Sequence, residues 1–178
     1  METRPDRSVR RETRIMKKTI VALGSDHAGF RVKEIARDFL SRIRIPVLDF
    51  GTDSDVSVDY PDYARSAVEA VLDGRADRAV LVCGSGIGMS IAANKYPGIR
   101  AALVSEPHMA EMSRKHNDAN VLVLPGWNLA AQDVEQILRV WLETEFEGGR
   151  HRRRLDKISA IEREVCNRSD REKGRDSG

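Results

Sequence analysis

The sequence predicts an α/β protein, a Rossmann-like three-layer α/β/α sandwich around a five-stranded parallel sheet. Three observations carry this expectation. Short apolar runs of strand length alternate five times with segments whose apolar residues recur at helical spacing. Strand–helix alternation of this kind is satisfied by a parallel sheet covered on both faces. Glycine-rich breaks follow the first and third apolar runs, where such sheets turn into helices and bind ligands.

The elements follow in order. Thr19–Gly24 (TIVALG) is the first strand. Gly29–Ile43 is a helix, with Val32, Ile35, Ala36, Phe39, Leu40 and Ile43 on one face. Pro46–Phe50 is the second strand. Pro61–Leu72 is a helix that turns Ala64, Ala67, Val68 and Val71 inward, with Pro61 suited to its first turn. Arg78–Cys83 (RAVLVC) is the third strand, and Ile87–Lys95 a helix opening from a glycine loop. Arg100–Val104, Pro107–His116, Asn120–Leu124 and Ala130–Leu142 complete the alternation. A last short helix is expected at Ile158–Glu164.

The 178 residues suit one domain with tails. Residues 1–16 lack periodicity and read as a disordered extension, 17–164 as the folded domain, and 165–178 as a disordered polar tail. Met16 stands just before the first strand and reads as a natural start. No run of about 18 apolar residues predicts a membrane span. The Arg-rich beginning has no apolar segment of a secretory signal, and Glu2, Asp6 and Glu12 count against a transit peptide. Cys83 and Cys166 lie in unlike contexts, so no disulfide framework is expected, and a reducing, cytoplasmic setting fits.

The net charge of +2 hides an asymmetry. Residues 1–18 hold seven Lys/Arg against three Asp/Glu, and residues 150–178 hold ten against six, which leaves a body of −6. An acidic body argues against general nucleic-acid binding.

Four segments carry chemistry. Asp26 and His27 follow the first strand; the pair could orient a sugar hydroxyl, or Asp26 could simply cap the next helix. Cys83-Gly84-Ser85-Gly86-Ile87-Gly88 closes the third strand, and its backbone N–H groups could face an anion. It is not a dinucleotide fingerprint, because Met89 stands where a glycine is needed, and no Gly-Lys-Ser/Thr makes it a Walker loop. Cys83 beside a helix start favours thiolate, although a buried structural thiol is the commoner fate. His116-Asn117 ends a helix at the far edge of the sheet, where a histidine usually caps. Arg150 and Arg154 are four apart, on one helical face, and suit a phosphate unless the run is merely solvated. No Cys/His or carboxylate set has metal-ligand spacing, so neither metal nor other cofactor is expected.

Five stretches in order resemble the type B ribose-5-phosphate isomerase family, which also holds galactose-6-phosphate and allose-6-phosphate isomerases. They are GSDHAGF at 24–30, DYPDYA at 59–64, CGSGIGMSIAANK at 83–95, SRKHNDANVL at 113–122 and EGGRHRRR at 147–154. The resemblance runs from about Lys17 to Glu164. It implies aldose–ketose isomerisation of a sugar phosphate, ribose 5-phosphate to ribulose 5-phosphate first, through a cis-enediolate. Cys83 is then the base, Ser85 assists proton movement, and Asp26 and His116 open the sugar ring. Gly84, Gly86 and Gly88 cradle the enediolate, Tyr60 and Asn117 line the substrate, and His27, Arg150 and Arg154 hold its phosphate. A family branch without the cysteine uses a Glu six positions later; Met89 there puts this chain in the cysteine branch. The resemblance also implies a homodimer or homotetramer with sites shared between subunits.

One departure stands out. Many relatives carry Arg where this chain has Trp127, and an indole cannot replace a bidentate charge pair. Another sugar phosphate, such as a tetrulose or hexose phosphate, is therefore an alternative substrate. A non-catalytic phosphosugar-binding module is the alternative of a different class, though it would not need the thiol.

Overall fold

The computed structural model describes residues 19–175, with side chains to 168. Five parallel strands form one sheet: β1 (Val21–Ser25), β2 (Val47–Asp49), β3 (Arg78–Cys83), β4 (Ala101–Leu103) and β5 (Val121–Pro125). Their order is β2-β1-β3-β5-β4. The helices are α1 (Phe30–Arg42), α2 (Tyr60–Leu72), α3 (Ile87–Ala93), α4 (Pro107–Asn117), α5 (Ala131–Glu143) and α6 (Arg150–Arg175). A short 3₁₀ turn, His27–Gly29, joins β1 to α1.

Alternation along each strand builds two cores. Val80 and Val82 of β3 with Leu122 and Leu124 of β5 pack on one face against α1, α4 and α5, through Phe39, Ala110, Ile137 and Trp141. Ala79, Leu81 and Cys83 with Val121 and Val123 face the other way, onto Ala64, Ala67, Val68, Met89 and Ala93 of α2 and α3. Burial on both faces is what strands reading as unbroken apolar runs require. The order places a topological switch point between β1 and β3, whose chains leave for opposite faces of the sheet. The register pairs Ser25 with Val82, and Cys83 with Pro125, so the three central strands end level with one another. Ligands of such sheets bind in the crevice at that carboxyl edge.

Boundaries of the first five helices fall within two residues of those expected. The last helix does not. It starts at Arg150 and runs to Arg175, so it absorbs the short Ile158–Glu164 helix and most of the tail expected to be disordered. Its polar, weakly periodic sequence hid it: His151 and Leu155 are the buried residues among the described part of α6. Gly148 and Gly149, at φ +69° and +54°, turn the chain into it through left-handed backbone that glycine adopts freely. The expected extension at 1–16, with Met16, lies outside the described residues. Among the described residues no helix is long and apolar enough to cross a membrane.

Candidate active site

Three loops meet at the carboxyl edge of β1, β3 and β5. The N–H of Asp26 donates to Val82 O at 3.3 Å, which ties the β1 exit to β3 across the switch point. The Asp26 side chain is buried, and its Oδ1 accepts from the Gly29 N–H at 2.9 Å. The capping reading of Asp26 is therefore realised, and Oδ2 is left for other work. His27 Nδ1 accepts from the Val58 N–H at 3.2 Å. In the neutral ring that bond puts the proton on Nε2, the nitrogen turned away from the loop.

The loop holding Val58 is itself held. Lys33 of α1 is buried, and its Nζ donates to Thr52 O at 2.8 Å and Asp49 Oδ2 at 3.0 Å. Sequence reading missed this residue because it sits among the polar positions of α1.

The third strand delivers the thiol. Cys83 is 5% exposed, and its carbonyl accepts from the N–H groups of Gly86 (3.2 Å) and Gly126 (2.8 Å). Those two bonds fix the lip on which the thiol sits. Gly86 has φ +77°, a left-handed turn into α3 that a side chain would strain. Ser85 is exposed, and its Oγ accepts from the Ile87 N–H at 3.3 Å. Two amides of the glycine loop thus serve the loop itself. The first turn of α3 supplies others, those of Gly88 and Met89, which have no intrahelical acceptor.

Two aromatic rings frame this edge. Tyr60, the first residue of α2, lies against Gly88 so closely that a methyl there would come within 2.6 Å of its Cζ. The Trp127 side chain covers Gly84, where a methyl would come within 2.5 Å of Cζ2, and the Trp127 backbone N–H donates to Gly84 O at 2.9 Å. Trp127 is 61% exposed, so much of the indole over Gly84 is open to solvent. Met89 is fully buried in the core of that face.

His116, Asn117, Arg150 and Arg154 lie elsewhere. Helix α4 returns to the amino edge of the sheet, where Asn117 O accepts from Nε of Arg100, the residue preceding β4. There His116 stacks on His151, centroids 4.2 Å apart and planes 7° from parallel. Glu147 Oε2 lies 4.0 Å from His116 Nε2 and 3.6 Å from His151 Nε2. Arg150 Nε donates to His151 Nε2 at 3.3 Å. Burial first, then the neighbouring His116, Arg150 and Arg154, push the His151 imidazole below its ordinary pKa, with Glu147 opposing. Sequence reading passed over His151 and Glu147 inside the EGGRHRRR stretch, where only the arginines stood out. So one chain gathers Asp26, His27, Tyr60, Cys83, Ser85 and the glycines at one edge. It gathers His116, Asn117 and Arg150 at the other.

A parallel sheet that presents a thiol, an Asp–His pair and a glycine loop at its switch point has the layout of an α/β enzyme for a small anionic substrate. The Ribose/Galactose Isomerase family model matches residues 21–158. The chain is 45% identical over 143 residues to ribose-5-phosphate isomerase B of Escherichia coli, covering 80% of this chain and 95% of that protein. It is 43% identical over 143 residues to a putative sugar phosphate isomerase of Bacillus subtilis, covering 80% and 96%. Among solved structures, ribose-5-phosphate isomerase B of Clostridium thermocellum aligns with a TM-score of 0.81 at 46% identity, over 82% of this chain and 99% of that one. A ribose 5-phosphate isomerase of Thermotoga maritima gives 0.79 at 50% identity, over 80% and 99%. The chain belongs to the ribose/galactose isomerase family and is an aldose–ketose isomerase.

Proposed function

We propose that this chain interconverts ribose 5-phosphate and ribulose 5-phosphate, with Cys83 as the proton carrier. The observation that carries the reading is the thiol of Cys83, 5% exposed on the lip of a glycine loop beside Asp26 at the switch point. A solved relative from Mycoplasma genitalium, 37% identical, holds bound ribulose-5-phosphate.

The chemistry runs in two stages. The furanose must first open, because a cyclic hemiacetal has no carbonyl to activate. A proton leaves the anomeric hydroxyl and one is given to the ring oxygen, roles that suit Asp26 and His116. The Cys83 thiolate then takes the proton from C2, the C1 carbonyl becomes enediolate oxygen, and the thiol returns the proton to C1. Ser85 moves the proton between the two oxygens, and amides of the glycine loop stabilise the negative charge. Electrons stay within the sugar, so the step is redox-neutral. His27, Arg150 and Arg154 take the phosphate, and Tyr60 and Asn117 line the carbon chain.

The two sets of residues lie at opposite edges of one chain. A homodimer, or a homotetramer, would bring the His116–Arg150 edge of one subunit to the Cys83 edge of another. Exposed Ile87, Ile91, Met109 and Ile161 supply apolar surface for such contacts. A groove of about 390 Å³ between α6 and the β4 edge, lined by Ile99, Ala102, Leu155 and Ile158, supplies more. We assign residues 17–164 to the isomerase unit and place the protein in the cytoplasm, where the two free cysteines stay reduced.

The test is turnover of ribose 5-phosphate by purified protein, with four- to six-carbon sugar phosphates alongside. Strong ribose turnover supports the assignment. Strong turnover of another sugar alone keeps the mechanism and moves the substrate, and the Trp127 shelf over Gly84 favours that second reading. Binding without turnover of any would replace the enzyme with a phosphosugar sensor. For the shared site, inactive Cys83→Ser chains mixed with inactive His116→Ala chains should regain activity, since one composite site is then intact. No recovery after exchange of subunits would refute sharing.

A further inference from the structure

We propose that His151 is a positioning residue that locks His116 and Arg150 in one arrangement, the first by ring stacking and the second by accepting its Nε–H. The inference deepens the isomerase reading and rests on it, since His116 and Arg150 are the ring-opening and phosphate groups there.

His151 is 3% exposed, while Arg150, Arg152, Arg153 and Arg154 around it are all exposed. A solvated basic run would not bury one member. The residue is fixed at its backbone, where its N–H donates to Gly148 O at 3.0 Å. The Glu147 N–H donates to Lys115 O at 3.1 Å, which ties the start of α6 to the end of α4. The imidazole then bridges both groups, with a cofacial contact to His116 at 4.2 Å and a bond from Arg150 at 3.3 Å.

This arrangement requires a neutral ring. A protonated His151 would lose the lone pair that accepts from Arg150. It would also set a second cation 4.2 Å from His116 whenever His116 is charged. The groups that face His151 are His116 from α4, Glu147 from the turn, and Arg150 and Arg154 from α6. All but Glu147 are basic, and with burial they favour the neutral form. His116 is the more open of the two, at 36% side-chain exposure.

Two variants separate the functions. His151→Phe keeps a ring for His116 and removes the acceptor for Arg150. Its KM for phosphorylated substrate should rise about tenfold with kcat within about twofold, the size expected for one charge-assisted hydrogen bond. His151→Gln keeps an acceptor near the Nε2 position and removes the ring. Its kcat should fall about tenfold with KM within about twofold, because a His116 free to swing spends less time in the reactive geometry. The ring protons of His116 should move downfield in the NMR spectrum of His151→Gln and stay near their wild-type positions in His151→Phe. Equal changes of KM and kcat in both variants, tracking lost stability, would overturn the proposal, as would unmoved His116 resonances in His151→Gln. An inactive wild type with the His116 shift intact would strike the isomerase reading and leave the positioning in place. Should either variant fail to fold, the wild-type imidazole titration decides. His151 staying neutral while His116 titrates supports the lock, and His151 taking its proton first refutes it.

Discussion

Replacing Lys33 with methionine should cost stability and loosen substrate binding together. The side chain is 3% exposed, and its ammonium meets Thr52 O at 2.8 Å, Asp49 Oδ2 at 3.0 Å and Glu34 Oε1 at 3.2 Å. Breaking a fully buried ion pair costs about 3–5 kcal/mol, because the partner's charge is left without compensation. Here the carboxylates are less enclosed, at 24% and 28% exposure, and Arg37 stands 3.8 Å from Asp49 as a substitute. Methionine also refills the channel left by the aliphatic stem. What remains is the Thr52 carbonyl without its donor, worth about 1–3 kcal/mol, and some residual charge cost. We expect a net loss of about 2–3 kcal/mol, or about 5–10 °C in Tm for a chain of this length. Thermal melts of both proteins at one concentration measure it. The consequence for function follows the backbone: Thr52 anchors the loop whose Val58 N–H holds His27. KM for phosphorylated substrate should therefore rise more than kcat falls. A Tm unchanged within about 1 °C, equivalent to a few tenths of a kcal/mol, would refute the burial argument. A fall in kcat at constant KM would refute the link to His27.

Cys83→Ser should lower turnover by orders of magnitude, since a hydroxyl is a far poorer base than a thiolate, while thermal melts stay near wild type. Arg150→Ala should raise KM for phosphorylated sugars and leave unphosphorylated ones unaffected, as steady-state kinetics with both would reveal; equal effects on the two would remove Arg150 from the phosphate site. His151 also predicts a pH dependence of stability. Its folded pKa lies below the ordinary 6.5, so the unfolded chain binds the extra proton first as pH falls. Stability should therefore decline as pH is lowered from about 6.5 through the folded value. Urea titrations of His151→Phe over the same range should show a shallower decline, and an unaltered slope would remove His151 as its source.

The sheet, and the edge at which Asp26, His27 and Cys83 gather, were legible because strand-end positions are marked in the chain itself. Cys83 ends an apolar run and meets glycines, and Asp26-His27 follows another, so both point to the crevice before any contact is known. The separation of His116 from Cys83 was legible too, since a helix that follows a parallel strand must return to the opposite edge. Lys33 and His151 were not legible. Each is a polar residue whose burial depends on partners distant in sequence or hidden in a charged run: Asp49 and Thr52 for Lys33, His116 for His151. The length of α6 escaped for the opposite reason. Between Asp156 and Arg168 the helix has no buried residue, and apolar periodicity reports only helices that pack.

The two tryptophans give this chain a pair of optical reporters in contrasting solvents. Trp141 is fully enclosed between α5 and the sheet, whereas Trp127 is 61% exposed above Gly84. An indole in an apolar interior emits at shorter wavelength than one in water, and a dissolved quencher reaches only the second. Emission of the native protein therefore separates into a core band and a crevice band without any label. The quenchable band reports changes at the Trp127–Gly84 contact, where the proposed site would take its substrate, and the protected band reports loss of the core. Events at the crevice and global unfolding can thus be followed independently in one cuvette.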